Sequence, residues 1–303
     1  MTLARRVVRL RSTKVALALL GFVTVLSAFG SLLAPYDPVH QDVAQLLHGP
    51  SAHHLLGTDY LGRDVLSRLM AGTRLSVLSA LEAVAVGLVL GASTGLASVF
   101  LGRAFDYLSN RVNDTLMTLP TIVFAIAVTA VLGNRLVQAM FAVGVLLAPM
   151  FFRVTRAATL QYAHAQYVEV ADLFGASKAH VIRVHVVRKI LPTIAVTAAS
   201  AAASALLFVS SLTFLGIGVV PPAPTWGGVL SSDLAYLSLS PWAPIAPAVM
   251  IMITVGALNT LADSIRDRSQ ADLDAVPALA TITDVNSEYG HAYGTPHADH
   301  PAA

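Results

Sequence analysis

The residues of this chain best suited to a functional role lie in one polar run near residue 170. Glu169 begins a short helical pattern that Gly175 can end, because glycine accepts the left-handed conformation at a helix terminus. Ser177 can then cap a second helix, which continues at helical spacing through Val181 and beyond. Two short helices joined at a glycine would form a projecting knob. An ordinary polar loop is the alternative, and polarity alone leaves both open.

Glu82 is the acidic residue of a long apolar block, and we expect it in the outer part of a membrane span. An acid inside a span is costly and usually faces a cavity or a partner, so Glu82 could meet the ammonium group of a substrate. The cost falls towards the membrane surface, so the side chain could equally reach water.

Several kinds of chemistry are disfavoured by what the sequence lacks. It has no cysteine, which excludes disulfides and thiol catalysis. Its ten histidines show no tight ligand spacing, so we expect no metal site. No G-x-x-x-x-G-K-[ST] run occurs, so ATP hydrolysis is expected on a partner and the chain itself is not expected to be an enzyme. The net charge of +2 does not indicate a nucleic-acid partner.

The elements that must position these residues are membrane helices. Hydrophobic residues make up 55% of the chain and charged residues only 12%, about half the share in soluble domains. Apolar blocks long enough to span a bilayer predict an all-α membrane protein with about six transmembrane helices. The predicted spans are 15–34, 76–101, 115–133, 136–152, 190–220 and 244–261.

The distribution of basic residues predicts the orientation. Most of the 19 Lys and Arg residues fall on segments that an inward N-terminus places in the cytoplasm, and an excess there sets topology. We therefore expect an N-in, C-in protein with a cytoplasmic arm at 1–14 and a transmembrane domain at 15–268.

Between and after the spans we expect four further segments. Segments 35–75 and 221–243 would be exported, the second as an interfacial re-entrant turn carrying Trp226 and Trp242. Segment 153–189 would be cytoplasmic, and 269–303 a disordered cytoplasmic tail.

A stripe of glycines lies on the second predicted span. Gly87, Gly91 and Gly95 are spaced four apart, which places them on one helix face and allows a second helix to approach closely. The stripe predicts helix packing more strongly than it predicts a sliding pore-lining surface.

Several motifs together resemble one known family, the permease subunits of ABC importers of the dipeptide, oligopeptide and nickel branch, and in particular the second, C-type peptide permease. The Glu-x-Ala-x-x-x-Gly stretch at Glu169, Ala171 and Gly175 is similar to the family's cytoplasmic coupling motif. Further similar runs are Ala34-Pro-Tyr-Asp-Pro38, Leu56 to Arg68, Thr213 to Gly218, Pro221-Pro222 with Trp226-Gly227, and Asn259 to Asp267. The resemblance covers about residues 10–268. Val170 stands where the family usually has a second alanine, and the proline expected after the coupling glycine is displaced.

The resemblance implies a type I importer permease fold in the inner membrane, with a coupling helix that docks into an ATPase subunit. The implied coupling residues are Tyr167, Glu169, Ala171, Gly175, Ala176 and Ser177. The implied partners are a second, homologous permease, two ATPases that bind ATP and Mg, an extracytoplasmic substrate-binding protein and membrane lipid. Peptides are the implied cargo, with nickel chelates or glutathione as alternatives. A secondary transporter is the rival class, but we find no deep charged pair or evident repeat of the kind such proteins use.

Overall fold

The computed structural model describes residues 3–163, 182–219 and 221–274, and these form helices joined by loops. The helices are α1 (Leu3–Leu33), α2 (Val65–Phe100), α3 (Arg103–Met117), α4 (Thr121–Leu132), α5 (Leu136–Ala163), α6 (Arg188–Phe214), α7 (Trp226–Leu234) and α8 (Ile245–Asp274). A 3-10 turn lies at Val43–Gln45, and a π-helical turn at Ile182–Val187 leads into α6.

The prediction of about six membrane spans is confirmed as five long helices and one bent pair. Helices α1, α2, α5, α6 and α8 are each long and apolar enough to cross a membrane. Helices α3 and α4 meet at an angle of 96° and make a sixth if the bent pair is counted as one span. The prediction of one straight helix over 115–133 is wrong, because Pro120 lacks the N–H that a continuing helix would need. Helix α4 is therefore only 12 residues long, or about 18 Å.

Several predicted boundaries shift because the helices are longer than the apolar blocks. Helix α2 begins at Val65, inside the segment predicted as a loop, since the Asp64 carboxylate caps it by accepting the Ser67 N–H at 2.8 Å. Helix α5 continues to Ala163 and α8 to Asp274, beyond the predicted start of the tail. Hydropathy detects the apolar middle of a helix but not its polar ends.

Helix α5 lies at the centre of the bundle and packs against α2, α4 and α6. The core is built from large side chains that are almost fully buried, including Met140, Phe151, Phe152, Leu206, Leu212 and Trp226. At one end of the bundle lie the segment 34–64, the turn 133–135, the segment 215–225 and α7. We call this group the loop end.

Tight turns shape the loop end. Gly57 and Gly62 have φ values of 73° and 74°, a region that L side chains rarely adopt. A Cβ on Gly62 would also collide with the backbone carbonyl of Asp42, so the chain can fold back on itself only with glycine there. At the neighbouring turn, Asn134 Oδ1 accepts the Gly218 N–H at 2.7 Å and joins the start of α5 to the end of α6.

Candidate functional site

The predicted coupling residues, from Tyr167 to Ser177, lie outside the described residues. The structure does describe both flanks of that segment. Ala158 of α5 packs with Val186 and Ile190, which are at most 1% exposed, and Leu96 of α2 lies against the same cluster. The two described flanks of the segment therefore meet at one packed point that joins α2, α5 and α6.

The glycine stripe of α2 lies directly against α5. A Cβ on Gly87 would lie 2.9 Å from the Cβ of Leu147, and one on Gly95 would lie 2.7 Å from the carbonyl oxygen of Phe152. At Gly91 a Cβ would collide with the carbonyl oxygen of Ala148. All three glycines are buried. The two backbones thus approach too closely for any side chain over about two turns of helix.

Glu82 lies at the middle of α2, because the helix begins at Val65 instead of residue 76. Its side chain is partly exposed. The prediction that Glu82 lies in the outer part of the membrane span stays a prediction.

Trp226 was expected at the membrane interface but is fully buried in protein. Its backbone N–H donates to Ser76 Oγ at 3.0 Å, and its indole Nε1–H donates to the Leu69 carbonyl at 3.2 Å. A Cβ on the following Gly227 would collide with the carbonyl of Ser210 in α6. The segment predicted as a re-entrant turn contains a short helix, α7, which packs between α2 and α6.

A buried charged cluster at the loop end was not anticipated as a site from the sequence. Asp59 accepts hydrogen bonds from the Leu61 and Arg63 backbone N–H groups and forms an ion pair with the Arg63 guanidinium at 2.7 Å. Arg68 Nε lies 3.5 Å from the same carboxylate, and Arg68 Nη1 donates to the Pro38 carbonyl at 3.1 Å. The four-residue spacing of Asp59 and Arg63 was a signal, but it is also common on solvated surfaces.

Asp233 of α7 adds a second acid to this cluster. It is 3% exposed, and its Oδ2 atom finds no hydrogen-bond donor among the described residues. Burial raises the pKa of the Asp233 carboxyl to about 7, the negative charge of Asp59 acts in the same direction, and Arg68 and Arg63 oppose it. Near neutral pH this carboxyl is therefore only partly ionised.

Two ion pairs connect α3 to α5 at the opposite end of the bundle. Arg156 binds both carboxylate oxygens of Asp106, at 2.7 and 2.9 Å, and Arg153 lies 2.9 Å from Asp114. The first pair is half-buried and bidentate, a geometry that fixes orientation as well as distance. These arginines lie on α5, which extends into the segment predicted as a cytoplasmic loop.

Comparison with known proteins gives consistent matches over most of the chain. The family model described as the inner membrane component of binding-protein-dependent transport systems matches residues 87–274. The di/tripeptide transport system permease of Pseudomonas aeruginosa is 37% identical over 79% of this chain and 81% of its own length. A probable D,D-dipeptide transport system permease of Escherichia coli is 34% identical over 79% and 80% of the two chains. A glutathione transport system permease of Escherichia coli is 34% identical over 80% of each.

Proposed function

Because this chain belongs to the family of inner membrane components of binding-protein-dependent transport systems, we propose that it forms half of the path by which small peptides enter the cell. The observation that carries the proposal is the similarity to permeases named for di- and tripeptide transport over about four-fifths of both chains. A second, homologous permease subunit would supply the other half of the path. An extracytoplasmic binding protein would deliver the substrate.

The energy would come from two partner ATPases, which would bind ATP and Mg²⁺. Residues 167–177, with Glu169 and Gly175, would form the coupling helix that docks on one of them. The packing of the flanks supports this role, because Val186, Ile190 and Ala158 join the segment to α5 and α6. A displacement of this segment by the ATPase would move α5 and α6, which are packed together. Packed helices switch between discrete arrangements rather than deform gradually.

The loop end would face outwards, as the distribution of basic residues predicts. The binding protein would then release substrate close to α7 and the end of α6. The buried position of Trp226 supports this arrangement, since it holds α7 against the first turns of α2 and gives the loop end a fixed shape.

Glutathione is the second candidate substrate, because a glutathione permease is as similar to this chain as one of the dipeptide permeases. Glutathione is itself a tripeptide, so both candidates carry a free terminal carboxylate and differ chiefly in the γ-linkage and the thiol.

The test is uptake by the complete importer reconstituted in vesicles with ATP inside. Labelled alanyl-leucine and labelled glutathione would be offered with the binding protein. ATP-dependent accumulation of the dipeptide is the expected result. Accumulation of glutathione alone would identify glutathione, rather than dipeptides, as the substrate. Accumulation of neither compound would overturn the proposal.

A further inference from the structure

A pocket of about 360 Å³ opens at the loop end, apart from the glycine contact between α2 and α5. One wall carries Tyr60, Arg63 and Arg68. The opposite wall carries the last residues of α6, the prolines at 221 and 222, and the hydroxyls of Ser231 and Ser232 on α7. The pocket therefore combines two guanidinium groups with hydroxyl groups and an apolar rim.

The positive charge of these arginines is incompletely matched by the protein. Asp59 already accepts two backbone N–H groups and the Arg63 guanidinium. Arg68 is 5% exposed, and its Nε shares the same Asp59 carboxylate at 3.5 Å, too far for a good hydrogen bond. Asp233 could balance the second arginine only when ionised, and its pKa of about 7 leaves it partly protonated near neutral pH. Two guanidinium groups beside Asp59 and a partly protonated Asp233 leave an excess of positive charge at the wall of the pocket, which favours an anionic ligand.

A carboxylate is an anion that suits this arrangement and that the proposed peptide substrate supplies. The planar fork of arginine matches the two oxygens of a carboxylate. The volume lies at the lower end of the range for small-molecule sites, about 300–1,000 Å³. Phe214, Leu215 and Val219 on the rim could accept the side chain attached next to that carboxylate.

We propose that this pocket binds the terminal carboxylate of a small peptide between Arg63, Arg68 and α7. The inference rests on the proposed function and assigns to it a contact at the outer mouth of the path. Release from the binding protein would place the peptide carboxylate against the arginines, with the side chain of the C-terminal residue against the rim of α6.

The experiment measures binding of labelled alanyl-leucine to the purified complex of both permeases and both ATPases, without the binding protein. Unlabelled alanyl-leucine and alanyl-leucine amide compete for the site. The free acid is expected to compete at least tenfold better than the amide. Ser231→Phe, which fills the pocket and keeps both arginines, should weaken dipeptide binding at least tenfold. Ser238→Phe, an exposed position on the same segment outside the pocket lining, should leave it unchanged.

Equal competition by acid and amide would overturn the inference, and this arm does not depend on any variant folding. Absence of dipeptide binding at millimolar concentration would also overturn it. If Ser231→Phe left dipeptide binding unchanged, the peptide would not occupy this pocket and the assignment would fall. If the full importer took up peptide but the acid and the amide competed equally for binding, the pocket assignment would be wrong and the proposed function would stand. Absence of uptake would reject the proposed function.

Discussion

Replacing Gly91 by alanine should loosen the contact between α2 and α5. The new Cβ would collide with the Ala148 carbonyl oxygen and lie 2.7 Å from the Phe151 Cβ and 2.9 Å from the Phe152 backbone N. Overpacking of this kind costs about 1–3 kcal/mol, and we take the upper half because two of these neighbours are backbone atoms. The better helix propensity of alanine offsets about 1 kcal/mol. The net loss is therefore about 1–2 kcal/mol.

The assay is thermal: the purified complex is heated in detergent, and the intact fraction is measured by size-exclusion chromatography. A loss of that size lowers the melting midpoint by about 2–8 °C, using the response of domains of 150–250 residues. Gly21→Ala on α1 is the matched control, because a Cβ there meets nothing within 4 Å. It should leave the midpoint unchanged or slightly raised. Equal midpoints for the two variants would refute the claim that the α2–α5 contact depends on glycine.

Three further predictions concern topology, coupling and pH. A cysteine at Ser51 should react with an impermeant thiol reagent added outside, and one at Ala179 should not; the reverse pattern would invert the proposed orientation. Gly175→Val should reduce substrate-stimulated ATPase activity and uptake several-fold while leaving the chain inserted in the membrane. Normal coupling of ATP hydrolysis to uptake in both Gly175→Val and Glu169→Ala would show that this segment is an ordinary loop. Burial raises the pKa of Asp233 from its ordinary 3.8 to about 7 in the folded protein, so the stability that its protonated form contributes is fully present below pH 3.8 and is lost as pH rises to about 7. Asp233→Asn should remove that loss and raise the melting midpoint more at pH 8 than at pH 5, and a midpoint equally shifted at both values would contradict this assignment.

The number of spans and the family could be predicted from the sequence because both depend on long, local signals. A run of about 20 apolar residues has few alternatives to a membrane helix. The bend before α4 could have been predicted as well, since Pro120 interrupts the helical pattern. The helix ends could not, because the first turns of α2 are polar and their helicity depends on the Asp64 cap and on packing against Trp226.

The charged cluster at the loop end escaped prediction for a different reason. Arg63 and Arg68 were predicted to lie in an exported segment and in a run similar to the family, and neither prediction indicates that they are buried. Their burial depends on α7, more than 150 residues away in the chain, and on the segment that ends α6. The environment of Asp233 is likewise set by Arg68 and Asp59, so no local pattern around it indicates a raised pKa.

The unbroken length of α2 has a mechanical consequence. The helix runs for 36 residues, or about 54 Å, and so extends well beyond a hydrocarbon layer of about 30 Å. Its glycine contact with α5 leaves no side chains between the two backbones that could rearrange, so the helices would tilt together as one lever. A tilt of about 10° about the midpoint, near Glu82, carries each end about 5 Å in opposite directions. A small rotation that moves the Leu96 end of α2 in one direction would therefore move its first turns, where Trp226 is bound, in the opposite direction.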